Sequence, residues 1–282
     1  MNQSDNLLAA FVRHYPFQPA TAYWRAVEIG HVVAQPFPKG KGLDLGCGDG
    51  KLTQLLAAHV GERTWIGIDL DSAETQLARE TGLYDTVHTV SAAAIPEPDA
   101  TFDFVFSNSV LEHIPDLAAT LREASRVLKP GGEFLFTVPS EAFHSCLHGP
   151  ILPGQSRDGY LRDLDARCAH LRYFSEADWA EVLAPCGLQI ARVTRYLTPA
   201  QTRRWEVLSR LTAGLLFTLY GKRKRPIEIQ HALGLRRQGR RLPKPLARLL
   251  ASAASIGAPA EAGLAADAPD GSGCLMVLAR KI

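Results

Sequence analysis

The residues with the most chemical content lie between Leu43 and Asp69. The run Leu43-Asp44-Leu45-Gly46-Cys47-Gly48-Asp49-Gly50 sets glycines at alternate positions directly after a short apolar stretch. Glycine takes positive φ without a steric penalty, and a turn without Cβ atoms lets backbone N–H groups approach a ligand closely. Spacing separates the ligand classes that use such turns. A dinucleotide fingerprint needs Gly or Ala three positions after Gly48, where Lys51 stands. A phosphate-binding P-loop needs one more residue between Gly46 and the Gly50-Lys51 pair, and Ser or Thr where Leu52 stands. Asp44, just ahead of the turn, repels phosphate but suits the ammonium group of an amino acid. Asp69 ends the next apolar run, nineteen residues past Gly50. A carboxylate at such a strand end can hold both ribose hydroxyls of an adenosine through paired, charge-assisted hydrogen bonds.

These residues need a scaffold, and the chain from 41 to 138 supplies one. Short apolar runs alternate with helical patterns, the signature of βαβ units and a parallel sheet. Strands are expected at 42–45, 65–69, 87–90, 102–107 and 133–138, with helices at 51–59, 72–81 and 117–128. Asp71 or Ser72 caps the second of these helices, and Gly82 ends it. Pro130-Gly131-Gly132 stops the third. A further helix starts at Ser175 with Asp178 in a capping arrangement and ends at Gly187, followed by strands at 188–193 and 274–279. Residues 7–35 read as helix broken at Pro16 and Pro19.

Several stretches together resemble the class I S-adenosylmethionine-dependent methyltransferases of the small-molecule type. They are residues 43–50, Gly67-Ile68-Asp69, residues 102–108, Leu111-Glu112-His113, and Arg126-Val127-Leu128-Lys129-Pro130-Gly131-Gly132. The resemblance covers residues 36–194 and the last strand. It implies a Rossmann-like, doubly wound α/β sheet of seven strands, mostly parallel with an antiparallel last strand. It also implies S-adenosylmethionine as cofactor, with S-adenosylhomocysteine as product. Asp44 and the loop of Gly46, Cys47, Gly48 and Gly50 would surround the methionine part. Asp69 would hold the ribose, Leu70 would pack on adenine, and Asn108 would sit beside the methionine moiety. Where such proteins often carry an Asp for the adenine amino group, this chain has Ser91-Ala92, and Ser91 can still accept a hydrogen bond. Residues 1–35 are expected to form a lid of Tyr15, Tyr23, Trp24 and Arg25, with Arg25 pairing the cofactor carboxylate.

Displacement at an activated methyl depends chiefly on alignment, and a hydroxyl acceptor also benefits from a base. His113, six residues past the fourth strand, is the first candidate. His144 and His148, after the fifth strand, are the others. No metal-ligand cluster is visible in the sequence. Transfer to oxygen of a small or lipid-linked acceptor is favoured over carbon or nitrogen.

Composition sets the outer limits. With 46% apolar, 21% charged and 8% aromatic residues, the chain is globular rather than disordered or collagen-like. The net charge of +2 conceals a division. Residues 195–248 hold fourteen Lys or Arg against two acids, Glu206 and Glu228, a balance of +12. The remainder carries −10, which suits a cationic cofactor. Five scattered cysteines without a C-x-x-C pair fit a reducing compartment. No signal peptide is evident at the N-terminus, so a cytoplasmic location, peripheral on the inner face of the membrane, is expected.

Residues 195–272 read as a basic, amphipathic insertion and linker between the last two strands of a domain made of 36–194 and 273–282. Trp205, Leu208, Thr212, Leu215, Leu216 and Leu219 form one apolar helix face, followed by Lys222-Arg223-Lys224-Arg225 and by Arg236, Arg237, Arg240 and Arg241. A second helical run covers 245–254, and 251–273 is Ala/Gly/Ser/Pro-rich linker. Apolar helix beside clustered cations fits an anionic membrane surface. A packed helix with a solvated face, or a dimer contact, fits the same residues. Nucleic acid is disfavoured: Asn108-Ser109-Val110-Leu111 lacks the Asn/Asp-Pro-Pro-aromatic pattern of base-amine methyltransferases, and aromatics for stacking are sparse. A cofactor-holding module without turnover is the non-enzymatic alternative.

Overall fold

The computed structural model describes residues 3–15, 18–151, 154–215, 218, 242–255, 268 and 270–282. The basic clusters at 222–225 and 236–241, Leu216 and Leu219 of the expected apolar face, and most of the expected linker lie outside them. The chain divides into two compact units. One comprises residues 32–141, 172–195 and 274–282; the other comprises 1–31, 142–171 and 196–273.

The first unit is built on a seven-stranded sheet of order β3-β2-β1-β4-β5-β7-β6. Its strands are β1 (Lys41–Leu45), β2 (Thr64–Asp69), β3 (Thr86–Thr89), β4 (Phe102–Asn108), β5 (Leu128–Pro139), β6 (Leu188–Tyr196) and β7 (Cys274–Lys281). β1 to β5 pair in parallel, and β7 runs antiparallel to β5. Leu43 lies between Ile66 and Val105 in register, and Asp44 between Gly67 and Phe106. The chain winds outward from β1 in one direction through β2 and β3, then in the other from β4. The crevice beyond the carboxyl ends of β1 and β4 is therefore the topological switch point, where open α/β sheets bind ligands.

The helices of this unit are α3 (Lys51–Val60), α4 (Ser72–Glu80), α5 (Leu117–Val127) and α7 (Glu176–Leu183). Their ends follow local chemistry. The Asp71 carboxylate accepts the Ala73 and Glu74 N–H groups to start α4. Ser175 and Asp178 form a reciprocal capping box at α7. On one side of the sheet, Leu43, Ile66, Val105, Phe134 and Phe136 pack with Leu121 and Ala124 of α5 and Trp179 and Leu183 of α7. Elsewhere in the unit Phe37, Trp65 and Phe104 meet with ring centroids 5.2–6.1 Å apart. Gly42 makes room for that cluster, because a Cβ there would collide with the Phe104 ring.

The 126–132 motif has a structural task. The Arg126 guanidinium grips both oxygens of Glu123, the Asp99 carboxylate, and the Ile95 and Glu97 carbonyls. It thereby pins the segment between β3 and β4 onto α5. Lys129 pairs with Asp103 at 2.6 Å, and β5 begins at Leu128, ahead of the glycines rather than after them.

The second unit gathers α1 (Gln3–His14), α2 (Pro19–Val33), α6 (Arg157–Cys168), α8 (Pro199–Ser209) and α9 (Lys244–Ser255). Pro19 opens α2 rather than breaking it, since proline's fixed φ suits a first helical position. Residues 142–171, expected within the sheet domain, pack here. Phe143, Trp24 and Trp205 form an aromatic trio with centroids 5.1–5.6 Å apart. Glu206, fully buried, accepts the His148 and Gly149 N–H groups, the Tyr160 hydroxyl and the Arg210 guanidinium.

The apolar face expected from Trp205 to Leu219 is not continuous. Trp205 is buried and Leu215 is exposed. α8 passes into a π-helical turn at Arg210–Gly214. Wider hydrogen-bonded rings there shift the phase of Leu215, the last described residue of that face, relative to Trp205. At the other end of the segment Ser272 is buried, the Gly271 carbonyl accepts the Cys146 thiol, and the Gly273 N–H donates to the Leu197 carbonyl, so the stretch before β7 is anchored.

The start of α8 carries a second capping box. Thr198 Oγ1 accepts the Gln201 N–H, and Gln201 Oε1 accepts the Thr198 N–H. Thr198→Ala is expected to lower stability by about 1 kcal/mol. Urea unfolding followed by tryptophan fluorescence checks this; an unchanged midpoint would show the cap to be dispensable.

Candidate functional site

The turn after β1 is held from within. The Gly46 and Cys47 N–H groups both donate to the Ile68 carbonyl at 2.9 Å, Gly48 N–H to Asp69 Oδ2 at 2.9 Å, and Gly50 N–H to the Cys47 carbonyl at 3.0 Å. The glycines therefore do not offer these donors to a ligand, contrary to the expectation from sequence. What they supply is conformation and space. Gly46, Gly48 and Gly50 all sit at positive φ, from 51° to 80°. A Cβ on Gly46 would lie 2.4 Å from the Val110 side chain, at the segment leaving β4. A cationic ligand brings its own donors and needs acceptors, so a turn whose N–H groups are already satisfied is chemically consistent with one.

Asp69 closes the turn and ends β2. Oδ2 takes the Gly48 N–H, and Oδ1 takes the Asp71 N–H at 2.9 Å. A carboxylate offers about four lone-pair sites. Each oxygen thus keeps capacity for one more donor, which is the requirement of a ribose diol. Leu70 follows with its side chain 75% exposed, an unusual placement for leucine beside a structured turn and suited to covering a flat apolar ring.

Asp44 is almost fully buried. Its Oδ2 accepts the Thr53 hydroxyl and the Tyr84 hydroxyl, each at 2.6 Å. Burial pushes the carboxyl up to about 6; the two hydroxyl donors oppose that shift, and the charge of Asp69 adds to it. Sequence reasoning found neither donor. Tyr84 lies forty residues away in the connection between α4 and β3. A hint does exist: Gly67 stands beside Asp44 in register, and a Cβ there would meet the Cys47 sulfur at 3.0 Å and the Tyr84 ring at 3.2 Å. A glycine inside a strand marks such a close approach. The buried Cys47 thiol is raised far above its ordinary value, first by desolvation and then by Asp44 and Asp69, so it packs rather than reacts.

At the end of β4, Asn108 is buried and pairs with Thr137 in register. Ser109 adopts φ 50°, left-handed and costly for a residue with a Cβ, and donates its N–H to the Thr137 carbonyl. The turn brings Val110 back against Gly46. His113 lies in a single 3-10 turn with Leu111 and the buried Glu112, its Nε2 3.8 Å from Glu112 Oε1. Arg172 donates to the Leu111 carbonyl and fixes that turn. After β3, Ser91 is exposed and its Oγ accepts the Ala93 N–H at 3.2 Å, while Ala92 packs on the core.

The remaining candidates belong to the second unit. Arg25 pairs with the buried Glu28 at 2.6 Å, and Glu28 also accepts the Tyr196 hydroxyl. Tyr15, Tyr23 and Trp24 are buried in the same unit. His144 Nε2 bonds Asp165 at 2.9 Å; the His148 side chain is exposed while its backbone is held by Glu206.

Comparison with known proteins agrees with this geometry. Residues 43–136 match the family model described as a methyltransferase domain. The chain is 37% identical over 141 residues to a sarcosine/dimethylglycine N-methyltransferase of Halorhodospira halochloris, covering 48% of this chain and 50% of that one. It is 30% identical over 158 residues to a ubiquinone biosynthesis O-methyltransferase of Aromatoleum aromaticum, covering 54% and 64%. The chain spans about half the length of the first of these relatives. Among solved structures, an S-adenosylmethionine-dependent methyltransferase from Thermotoga maritima superposes with a TM-score of 0.55 at 15% identity, over 98% of this chain and 99% of that one, which speaks to the fold. The glycine turn and the strand-end acid thus lie in a stretch, residues 43–136, that matches a methyltransferase domain and is similar to named S-adenosylmethionine-dependent methyltransferases, on a sheet with the fold of such proteins.

Proposed function

We propose that the protein transfers the S-methyl group of S-adenosylmethionine to a small or lipid-linked metabolite, at oxygen in preference to carbon or nitrogen, and works at a membrane surface. The observation that carries the reading is the supply of carboxylate acceptors at the crevice: Asp44 and Asp69 flank a turn in which the Gly46, Cys47, Gly48 and Gly50 N–H groups are already used. When bound, the cofactor supplies an electrophilic methyl on a sulfonium. Asp69 accepts the ribose hydroxyls, Leu70 covers the adenine, and Asp44 and Asn108 face the amino-acid end. His113 takes the proton of a hydroxyl acceptor. The relatives named for sarcosine, dimethylglycine and ubiquinone biosynthesis support a small acceptor.

Incubation with methyl-labelled cofactor and cell extract split into lipid, polar-metabolite and RNA pools tests the reading. Label is expected in the lipid or polar pool; label in RNA alone would overturn it. Because Leu70 is already 75% exposed, its replacement costs the ligand-free fold little. Leu70→Ser is expected to weaken S-adenosylhomocysteine binding by roughly tenfold, the equivalent of about 1.5 kcal/mol of leucine burial. Calorimetry reads the affinity, and a thermal melt with an unchanged midpoint completes the expected result.

A further inference from the structure

The Tyr84 ring is wedged between two glycines. Its Cδ1–Cε1 edge lies over Gly67 of β2, where an added Cβ would stand 3.2 Å away. Its Cε2 corner lies over Gly50 at the end of the turn, where a Cβ would stand 3.0 Å away. Cys47, Ala78 and Val87 pack with the same side chain. A ring held on both edges has little freedom, and its hydroxyl is thereby fixed on Asp44 Oδ2 at 2.6 Å. Thr53, in the first turn of α3, places a second hydroxyl on the same oxygen, also at 2.6 Å. Both lone pairs of Oδ2 are then in use. Oδ1 takes no hydrogen bond from the described residues and is not sealed from solvent. The carboxylate also lacks a counter-charge. The polar groups that face it from neighbouring elements are Thr53 of α3, Tyr84 ahead of β3, Cys47 of the turn and Asp69 of β2, while β4 contributes the apolar Phe106 in register. No basic side chain among the described residues pairs with it. Burial first, and then the Asp44 charge, hold the Tyr84 phenol well above its ordinary value, so it donates throughout the neutral range.

We propose that Tyr84 is a positioning residue for the ammonium group of the cofactor: together with Thr53 it fixes Asp44 Oδ2, so that Oδ1 faces the cation. The inference rests on the methyltransferase reading above, in which Asp44 faces the amino-acid end of S-adenosylmethionine. It adds the groups that orient and ionise that acid. A buried carboxylate with one oxygen clamped by fixed hydroxyls and the other open is an acceptor prepared for a cationic donor. Both hydroxyls also favour the ionised form of Asp44, against the burial that favours the neutral one. Tyr84 therefore acts on the cation through the charge of the carboxylate as well as its direction.

Tyr84→Phe in the full chain keeps the ring in its slot and removes the hydroxyl alone. Calorimetry compares two ligands: S-adenosylhomocysteine, which carries the ammonium, and methylthioadenosine, which keeps the adenosine and the sulfur but has no amino-acid end. Near neutral pH the variant is expected to bind S-adenosylhomocysteine roughly tenfold more weakly, and methylthioadenosine as wild type does. With one donor fewer, Asp44 holds its proton to higher pH. The fall in S-adenosylhomocysteine affinity on acidification, centred on about 6 in wild type, should therefore move upward by about one pH unit. Thr53→Val, which removes the other hydroxyl from the same oxygen, is expected to move the profile in the same direction, and it is read alone should Tyr84→Phe fail to fold. Equal losses for both ligands would make Tyr84 a mere support of the turn and overturn the inference, as would unchanged affinity or a pH profile coincident with wild type. Should methylthioadenosine bind too weakly to follow, the pH profile alone decides. Wild type that binds S-adenosylhomocysteine while the variants match it overturns only this inference; wild type that binds neither ligand overturns the cofactor reading as well.

Discussion

Asp69→Ala is expected to reduce S-adenosylhomocysteine affinity by about a hundredfold to ten-thousandfold, leaving no binding measurable by calorimetry. Two hydrogen bonds to a charged acceptor contribute roughly 1.5–3 kcal/mol each, and every 1.4 kcal/mol or so is a factor of ten. The loss has a second source in this chain. The same carboxylate accepts the Gly48 and Asp71 N–H groups, so truncation releases the turn from β2 and the entry to α4 together. Asp69→Asn separates the two contributions. Its amide oxygen can keep one backbone donor, but its nitrogen cannot accept the other, and the charge is gone. The asparagine variant should therefore bind more weakly than wild type and more tightly than alanine. Unchanged affinity in Asp69→Ala would remove the crevice from consideration as the cofactor site.

Asp69 was legible in sequence because its role depends on local order: a buried parallel strand reads as a continuous apolar run, and the residue ending it needs no partner elsewhere to be noticed. The caps at Asp71 and at Ser175 with Asp178 were legible for the same reason. What escaped depends on contacts distant in sequence or on a change of helical phase. The Tyr84 hydroxyl on Asp44 joins residues forty positions apart, and only the glycine at 67 hinted that something crossed there. α6 is polar almost all round, with Leu164 its only buried side chain, so no apolar period announced it. The face expected from Trp205 to Leu219 assumes a constant period through Arg210–Gly214, where the π turn breaks that period. An added residue turns later side chains by roughly 100°. Arg25 fits the general preference for arginine beside carboxylates, but the carboxylate the structure provides is Glu28.

Asp44 makes a prediction in which stability and function move in opposite directions. Its carboxyl, ordinarily 3.8, is raised to about 6 in the fold by burial, and a proton held more tightly in the folded than in the unfolded chain stabilises the fold while it is bound. That contribution is complete below about 3.8 and is lost as pH rises through 6. Two units correspond to about 3 kcal/mol, so at pH near 8 the ligand-free protein carries an ionised, poorly solvated carboxylate at roughly that cost. Asp44→Asn is never charged, and its amide oxygen can accept both the Thr53 and Tyr84 hydroxyls. The variant should be more stable than wild type by about 2–3 kcal/mol at high pH, with the difference vanishing toward pH 4. A cationic ligand reverses the preference, because it restores a partner to the carboxylate. Wild-type affinity for S-adenosylmethionine should fall as pH drops below about 6, whereas the asparagine variant should bind weakly and without that dependence. Denaturant unfolding at acid and alkaline pH, paired with calorimetry of the same two proteins, reads both effects. An asparagine variant less stable than wild type at pH near 8, or wild-type affinity flat across the interval, would show that Asp44 is a structural hydrogen-bond acceptor and not the counter-charge of the ligand. Observed together, the stability gain and the affinity loss would mean that the ligand-free fold carries an uncompensated charge at this position for the sake of binding.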